Sequence, residues 1–333
     1  MSAIRRRPST RRDPNSAMIG RAGIGPILAL RVRMTMARPV LAGMTVMVTR
    51  RTILRTHLLR PDREMSQLFT YCLAVAAQRH RISVHAAVLM STHEHLIVTD
   101  TEGRLPQFLQ EFHRLVALGV KALRNWQGAV WDQRKTSVVR LCTDNAVLEK
   151  IAYVIANPVM AGLVRRARDW PGVNTSPEDV GTARWKASRP PYFFSAANES
   201  WPEEVELELT VPPSVHIEGP ELRSAIAREV HQLVSSAPVV PGSDTQSDDL
   251  SALRNSSPYA RATSIEPAPT LNPAVAVGRA AGDALRQAII ALREFRLAYR
   301  IALDQWRLGV RETLFPAGTW LMQRLHGVNV CEL

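Results

Sequence analysis

His93 and His95 are the residues of this chain whose type and spacing most directly suggest chemistry. They lie in the stretch 84–100, V-H-A-A-V-L-M-S-T-H-E-H-L-I-V-T-D. The apolar runs 84–90 and 96–98 are short, rich in β-branched residues and bounded by polar ones, so both read as strands. Successive side chains of a strand alternate faces, which turns His93 and His95 the same way, about 7 Å apart, and turns Glu94 the other way. Two neutral imidazoles so placed can chelate one divalent metal. Two surface histidines at a strand start meet the same spacing, so position alone leaves both readings open.

The elements that must hold this pair can be traced on either side of it. Residues 44–49 (M-T-V-M-V-T) alternate and read as a first strand. Asp62, after Pro61, is placed to cap a helix over 63–80, where Leu68, Phe69, Cys72, Leu73 and Ala76 recur at helical spacing. Strands 82–90 and 93–99 follow, joined by Ser91-Thr92. Leu105, Phe108, Leu109, Phe112, Val116, Gly119 and Leu123 mark a second helix over about 105–125. Residues 135–141 read as a strand. Thr143 or Asp144 caps a third helix, which Asn157-Pro158 is expected to end because proline lacks an N–H and clashes with the preceding turn. A short helical turn, 159–164, comes next. The order β-α-β-β-α-β-α predicts an α+β domain: an antiparallel sheet with helices on one face and the other face free for ligand.

The pattern A-x-V-L-M-x-x-H-x-H-L-hydrophobic-V resembles the HUH motif of the single-domain tyrosine transposases, the group that holds the insertion-sequence-200 type and the REP-associated tyrosine transposases. Other residues agree in order. Gly128, Trp131 and Arg134 resemble the family's G-x-x-W-x-x-R, and Tyr153, Asn157, Pro158, Ala161, Gly162 and Leu163 resemble its Tyr-(Ile or Val)-x-x-Asn-Pro-x-x-Ala-Gly-Leu run. The resemblance spans residues 37–170. The later stretch Phe315-Pro316-Ala317-Gly318-Thr319 is similar to the long C-terminal extension of some bacterial members.

The resemblance implies an HUH-type fold and a DNA substrate, single-stranded or hairpin. It also implies a divalent metal, Mg²⁺ or Mn²⁺, on His93 and His95 that polarises a scissile phosphate. A helix tyrosine would form a covalent phosphotyrosine. This chain departs from the family at the helix that should carry that tyrosine: an ungapped alignment puts Val116 at the nucleophile position and Val120 at the polar position one turn later. No tyrosine lies between Tyr71 and Tyr153. The expectation is a DNA-binding, transposase-like protein with strand transfer impaired. The alternatives are an active transposase with an unexpected nucleophile, or a metal-binding or protein-interaction module on the same fold. Without a tyrosine to exchange between subunits, a monomer is favoured. Arg50, Arg51, Arg55, Arg114, Lys121, Arg124, Arg134 and Lys135 are the cations expected to meet DNA.

Charge is distributed to match. The net charge of +12 divides into +7 over residues 1–35, +9 over 36–170 and −4 over 171–333. A polyanionic partner would thus meet the motif-bearing part and the basic tail. The three cysteines, Cys72, Cys142 and Cys331, are far apart and form no C-x-x-C, which points away from a disulfide framework and toward the cytoplasm. No apolar run reaches the ~18 residues of a membrane span. The divisions expected are a disordered basic tail (1–35), the DNA-binding domain (36–170), an accessory α/β segment (171–234), a flexible Ser- and Pro-rich linker (235–273) and a helical segment (274–333). Met36 or Met44 would serve as a start, since the resemblance begins near Ala37.

Overall fold

The computed structural model describes residues 37–133, 136–217, 219–236, 250–263, 273–279 and 282–332. The expected basic tail, Arg134, Lys135 and much of the expected linker lie outside these residues. The core is a five-stranded sheet. Its strands are β1 (Met44–Arg51), β2 (Ile82–Met90), β3 (His93–Asp100), β4 (Ser137–Leu141) and β7 (Val275–Ala276), in the order β2-β3-β1-β4-β7. All neighbours are antiparallel except β4 and β7. The period-2 alternation of the sequence sorts side chains onto two faces. Val46, Val48, Ala87, Leu89, Leu96 and Val98 pack against helices α1 (Arg63–His80) and α2 (Leu105–Arg124). Met47, Ala86, Val88, Met90 and Ile97 pack on the other side against α3 (Asp144–Met160) and α4 (Gly219–Ser235).

The α+β architecture is as the element order predicts, but the expectation of one free face is corrected. Ile151, Val154 and Ile155 of α3 lie over the second face. The physical reason lies across the strands: Ile97 of β3 joins Met47 of β1 and Ala86, Val88 and Met90 of β2 in an apolar patch on this side, as Leu96 and Val98 join one on the other, so both faces need cover.

Local signals explain the helix boundaries. The Asp62 carboxylate accepts the Met65 N–H at 2.9 Å and opens α1. Asp100, at the end of β3, accepts the N–H groups of Arg104 and Leu105, both at 2.8 Å, and so satisfies the start of α2. Thr143 caps α3 through the Ala146 N–H. That helix does not stop at Asn157-Pro158: it runs on to Met160 and closes where Gly162 takes a positive φ of 69°. Pro158 sits in the last turn, so it forfeits one helical bond without forcing an exit from the helix.

Beyond residue 170 the chain wraps the domain. Leu89 donates to the Val173 carbonyl, Thr175 to that of Ala87 and Thr210 to that of Val84, at 2.9–3.0 Å, so the outer edge of β2 is covered. The expected accessory α/β segment contains β5 (Arg184–Ser188), which pairs with β6 (Glu204–Glu208) over α1. Ala187 is the only buried residue of β5, which is why no apolar alternation announced it. The expected linker is also corrected. Its longest described stretch, 250–263, holds the short α5 (Leu250–Asn255) and is fastened at several points. His57 donates to the Ala260 carbonyl, Arg60 to that of Ser256, and Tyr259 Oη to that of Arg124 at 2.6 Å. The C-terminal part places β7 in the sheet and continues with α6 (Gly282–Arg307), β8 (Leu314–Phe315), α7 (Leu321–His326) and β9 (Asn329–Val330). These build a small cluster around Leu303, Phe315 and Met322. No helix among the described residues is long and apolar enough to cross a membrane.

Candidate functional site

Strand alternation puts His93 and His95 on one face of β3, with ring centroids 4.8 Å apart. Each has a hydroxyl at Nδ1: Thr92 at 3.1 Å for His93 and Thr49, across the strand pair, at 2.7 Å for His95. The Nε2 atom of His95 is therefore the nitrogen left for another partner. Helix α3 closes over the pair. Tyr153 stands edge-on to His95 with centroids 5.5 Å apart, Lys150 lies 5.5 Å from the Tyr153 ring, and Asn157 acts on His93. Residues 150, 153 and 157 face the sheet together because they recur at three- and four-residue spacing on one helix face.

Both imidazoles are neutral at pH 7. Burial comes first among the causes and pushes His93 down to about 4, with Arg51 and Arg55 adding repulsion. Burial, His93, Arg51 and Lys150 hold His95 well below the usual histidine range. Three cations thus face a pair of neutral nitrogen donors, an arrangement that favours an anion or a cation-bridged anion. Asn157 Oδ1 is buried without a hydrogen-bond partner among the described residues. No group of three or more His, Cys, Asp or Glu side chains suited to a metal occurs among them. Two imidazoles and the Asn157 carbonyl oxygen are the donors that could hold a divalent ion here.

Glu94 points to the opposite face, as alternation requires, and bonds His113 of α2 at 2.6 Å in a buried pair. Trp131 donates to the His113 carbonyl at 2.8 Å. Val116 and Val120, the positions matched to the family's tyrosine and its polar companion, are fully buried in the α1–α2 core across the sheet from the histidines. The expected DNA contacts divide. Arg51 is exposed and acts electrostatically on both histidines, and Arg55 acts on His93. Arg50 bonds Thr136 at 2.6 Å and lies 5.8 Å from the Trp131 ring. Arg114 is exposed and Lys121 half-buried on α2. Arg124 is buried and bonded to Asp62 Oδ2 at 2.5 Å, with no face toward a phosphate.

Sequence reasoning missed Lys150, Asn157 and Thr49 as neighbours of the pair and gave Tyr153 no place beside it. The signal was present in the Tyr-x-x-x-Asn spacing, one helical turn on the face that α3 presents to the sheet.

No protein-family model matches this chain, and no curated protein matches it. Four chains of solved structures are similar in part, two of which follow. A REP-associated tyrosine transposase bound to a REP hairpin is 20% identical, with a TM-score of 0.36, over 41% of this chain and 79% of its own. A candidate transposase from Deinococcus radiodurans R1 is 18% identical, with a TM-score of 0.25, over 32% of this chain and 85% of its own.

Proposed function

We propose that this chain is a DNA-binding protein of the transposase type that engages single-stranded or hairpin DNA at the His93–His95 face, with strand transfer lost or impaired. The observation that carries the reading is the juxtaposition of two neutral imidazoles with the positive charges of Arg51, Arg55 and Lys150, which together would favour a phosphodiester. The motif order and the +9 charge of residues 36–170 support it. Mg²⁺ or Mn²⁺ would be held by His93, His95 and the Asn157 amide oxygen, and would polarise a bound phosphate. The donor set suits Mn²⁺ better, because Mg²⁺ prefers an octahedron of oxygens. Impairment follows from Val116, which has no nucleophilic atom.

One observation favours a second reading. Tyr153 is the tyrosine beside His95, and an active enzyme would have to use it. A single experiment separates the two: incubate labelled hairpin DNA with the protein and Mn²⁺ and run a denaturing gel. The first reading expects binding that weakens steeply with salt and no covalent adduct. An adduct lost in Tyr153→Phe would establish the second. Binding indifferent to ionic strength would defeat both.

A further inference from the structure

On the α1–α2 side of the sheet, away from the histidines, Arg79, His80, Arg104, Glu111, Arg114 and Arg324 line a cavity of about 490 Å³. From this clustering we infer a second anion site, one that takes phosphate oxygens. Four guanidinium groups share the cavity with one carboxylate. Both oxygens of that carboxylate are already engaged: Glu111 Oε1 with Arg79 at 2.5 Å and Oε2 with His80 Nε2 at 2.6 Å. Arg79 and His80 can be understood without a ligand, because they end α1 and complement its carboxy-terminal dipole as well as Glu111. Arg104 pairs with Glu102 in an exposed contact of little strength.

Arg114 and Arg324 have no such account. Neither has a carboxylate partner among the described residues, and they come from α2 and α7, elements far apart in the chain. Like charges brought together across a concavity repel one another, and an anion between them removes that cost. Guanidinium forks match phosphate oxygens in geometry as well as charge. Two of the arginines also lie against tryptophans, Arg79 over Trp201 at 4.6 Å and Arg324 by Trp320 at 5.4 Å. Cations interleaved with aromatic rings suit a single strand, whose bases stack while its backbone is held.

The site's chemistry does not depend on the DNA reading, but a nucleic-acid ligand for it does. The test therefore has two arms, each comparing the wild-type chain with Arg114→Gln/Arg324→Gln. In the first, fluorescence anisotropy follows a labelled single-stranded oligonucleotide across salt concentrations. Loss of two phosphate contacts is expected to weaken binding about tenfold and to lower the slope of log K against log salt by about 1.4. In the second, thermal melting is followed in inorganic phosphate against sodium chloride of equal ionic strength. A phosphate-specific rise in Tm that vanishes in the double variant assigns the cavity to free phosphate. Both residues are exposed, so the variant is expected to melt as the wild type does in chloride, and either single variant gives part of the loss. If the wild type binds no oligonucleotide, the DNA reading fails while the phosphate arm still decides the site. Identical behaviour of both proteins in both arms overturns the inference.

Discussion

His85 shows how much one buried polar residue commits this fold to. It stands at the bulge between Val84 and Ala86, fully buried, with Nδ1 2.9 Å from the Thr210 carbonyl and Nε2 2.7 Å from Thr99 Oγ1. A carbonyl only accepts, so Nδ1 carries the proton, Nε2 accepts from Thr99, and Thr99 in turn accepts from Thr45 at 2.8 Å. Burial pushes His85 down to about 4. Between pH 6.5 and 4 the unfolded chain therefore takes up a proton that the folded chain refuses, and stability falls as the pH drops through that window. The slope is about 1.4 kcal/mol per pH unit for each such group. His85→Gln is expected to remove one group's share, measured as a flatter dependence of the urea midpoint on pH; an unchanged slope would mean that His85 titrates normally. Arg124 gives the other residue-scale prediction. It neutralises Asp62, which also caps α1 and accepts from Arg60 Nε at 2.8 Å. Arg124→Gln is expected to cost about 3 kcal/mol by leaving a buried carboxylate underpaired. Oligonucleotide affinity of the folded protein is expected to stay unchanged, which anisotropy under native conditions can check.

At the scale of elements, the packing of α1 on α2 turns on Gly119. A Cβ placed there would lie 2.4 Å from Leu68 Cδ1 and 2.8 Å from Cδ2, and Leu68 is itself fully buried. Gly119→Ala gains about 1 kcal/mol of helix propensity but overpacks the core at a cost of about 1–3 kcal/mol. The expected result is a net loss near 1 kcal/mol in chemical denaturation, relieved by Leu68→Ala in the double variant. Elements of this kind were legible in the sequence. The 3.6-residue recurrence of α1 and α2 and the Asp62 cap set their limits, and alternation in β1–β3 set which face each histidine takes. Other features were not legible, for physical reasons. Pro158 breaks a rule that binds only inside a helix, not in its last turn. The strand β5 hides because four of its five residues stay partly or wholly exposed. Most companions of the histidine pair, Lys150, Tyr153 and Asn157, come from α3, about sixty residues away in the chain, and only packing of both sheet faces brings them in. Periodicity gave Arg124 the appearance of a surface cation, since nothing local signals its distant partner, Asp62.

At the scale of the whole molecule, the chain divides by how much apolar surface each part buries. The sheet and its helices hold two extensive cores, one on each face. The final part is different. Of the 26 residues of α6 only Ala302 and Leu303 are buried, while Ile290, Leu297 and Ile301 stay exposed. The segment is fastened by a few contacts: Val275–Ala276 on β4, Val40 donating to the Gly318 carbonyl at 3.0 Å, and Arg296 donating to that of Ala37 at 3.2 Å. Local opening costs roughly what the opened contacts contribute, so regions with few buried contacts exchange their amides first. Native-state hydrogen exchange is therefore expected to show α6 amides between residues 286 and 300 exchanging at least about a hundredfold faster than those of β3, since a 1.4 kcal/mol difference is tenfold and a shallowly packed helix lacks several such increments. The same experiment in the presence of oligonucleotide tests the second anion site independently. Through Arg324, ligation at the cavity links α7 to α2, and slower exchange in α7 on ligand addition is expected only if that link forms.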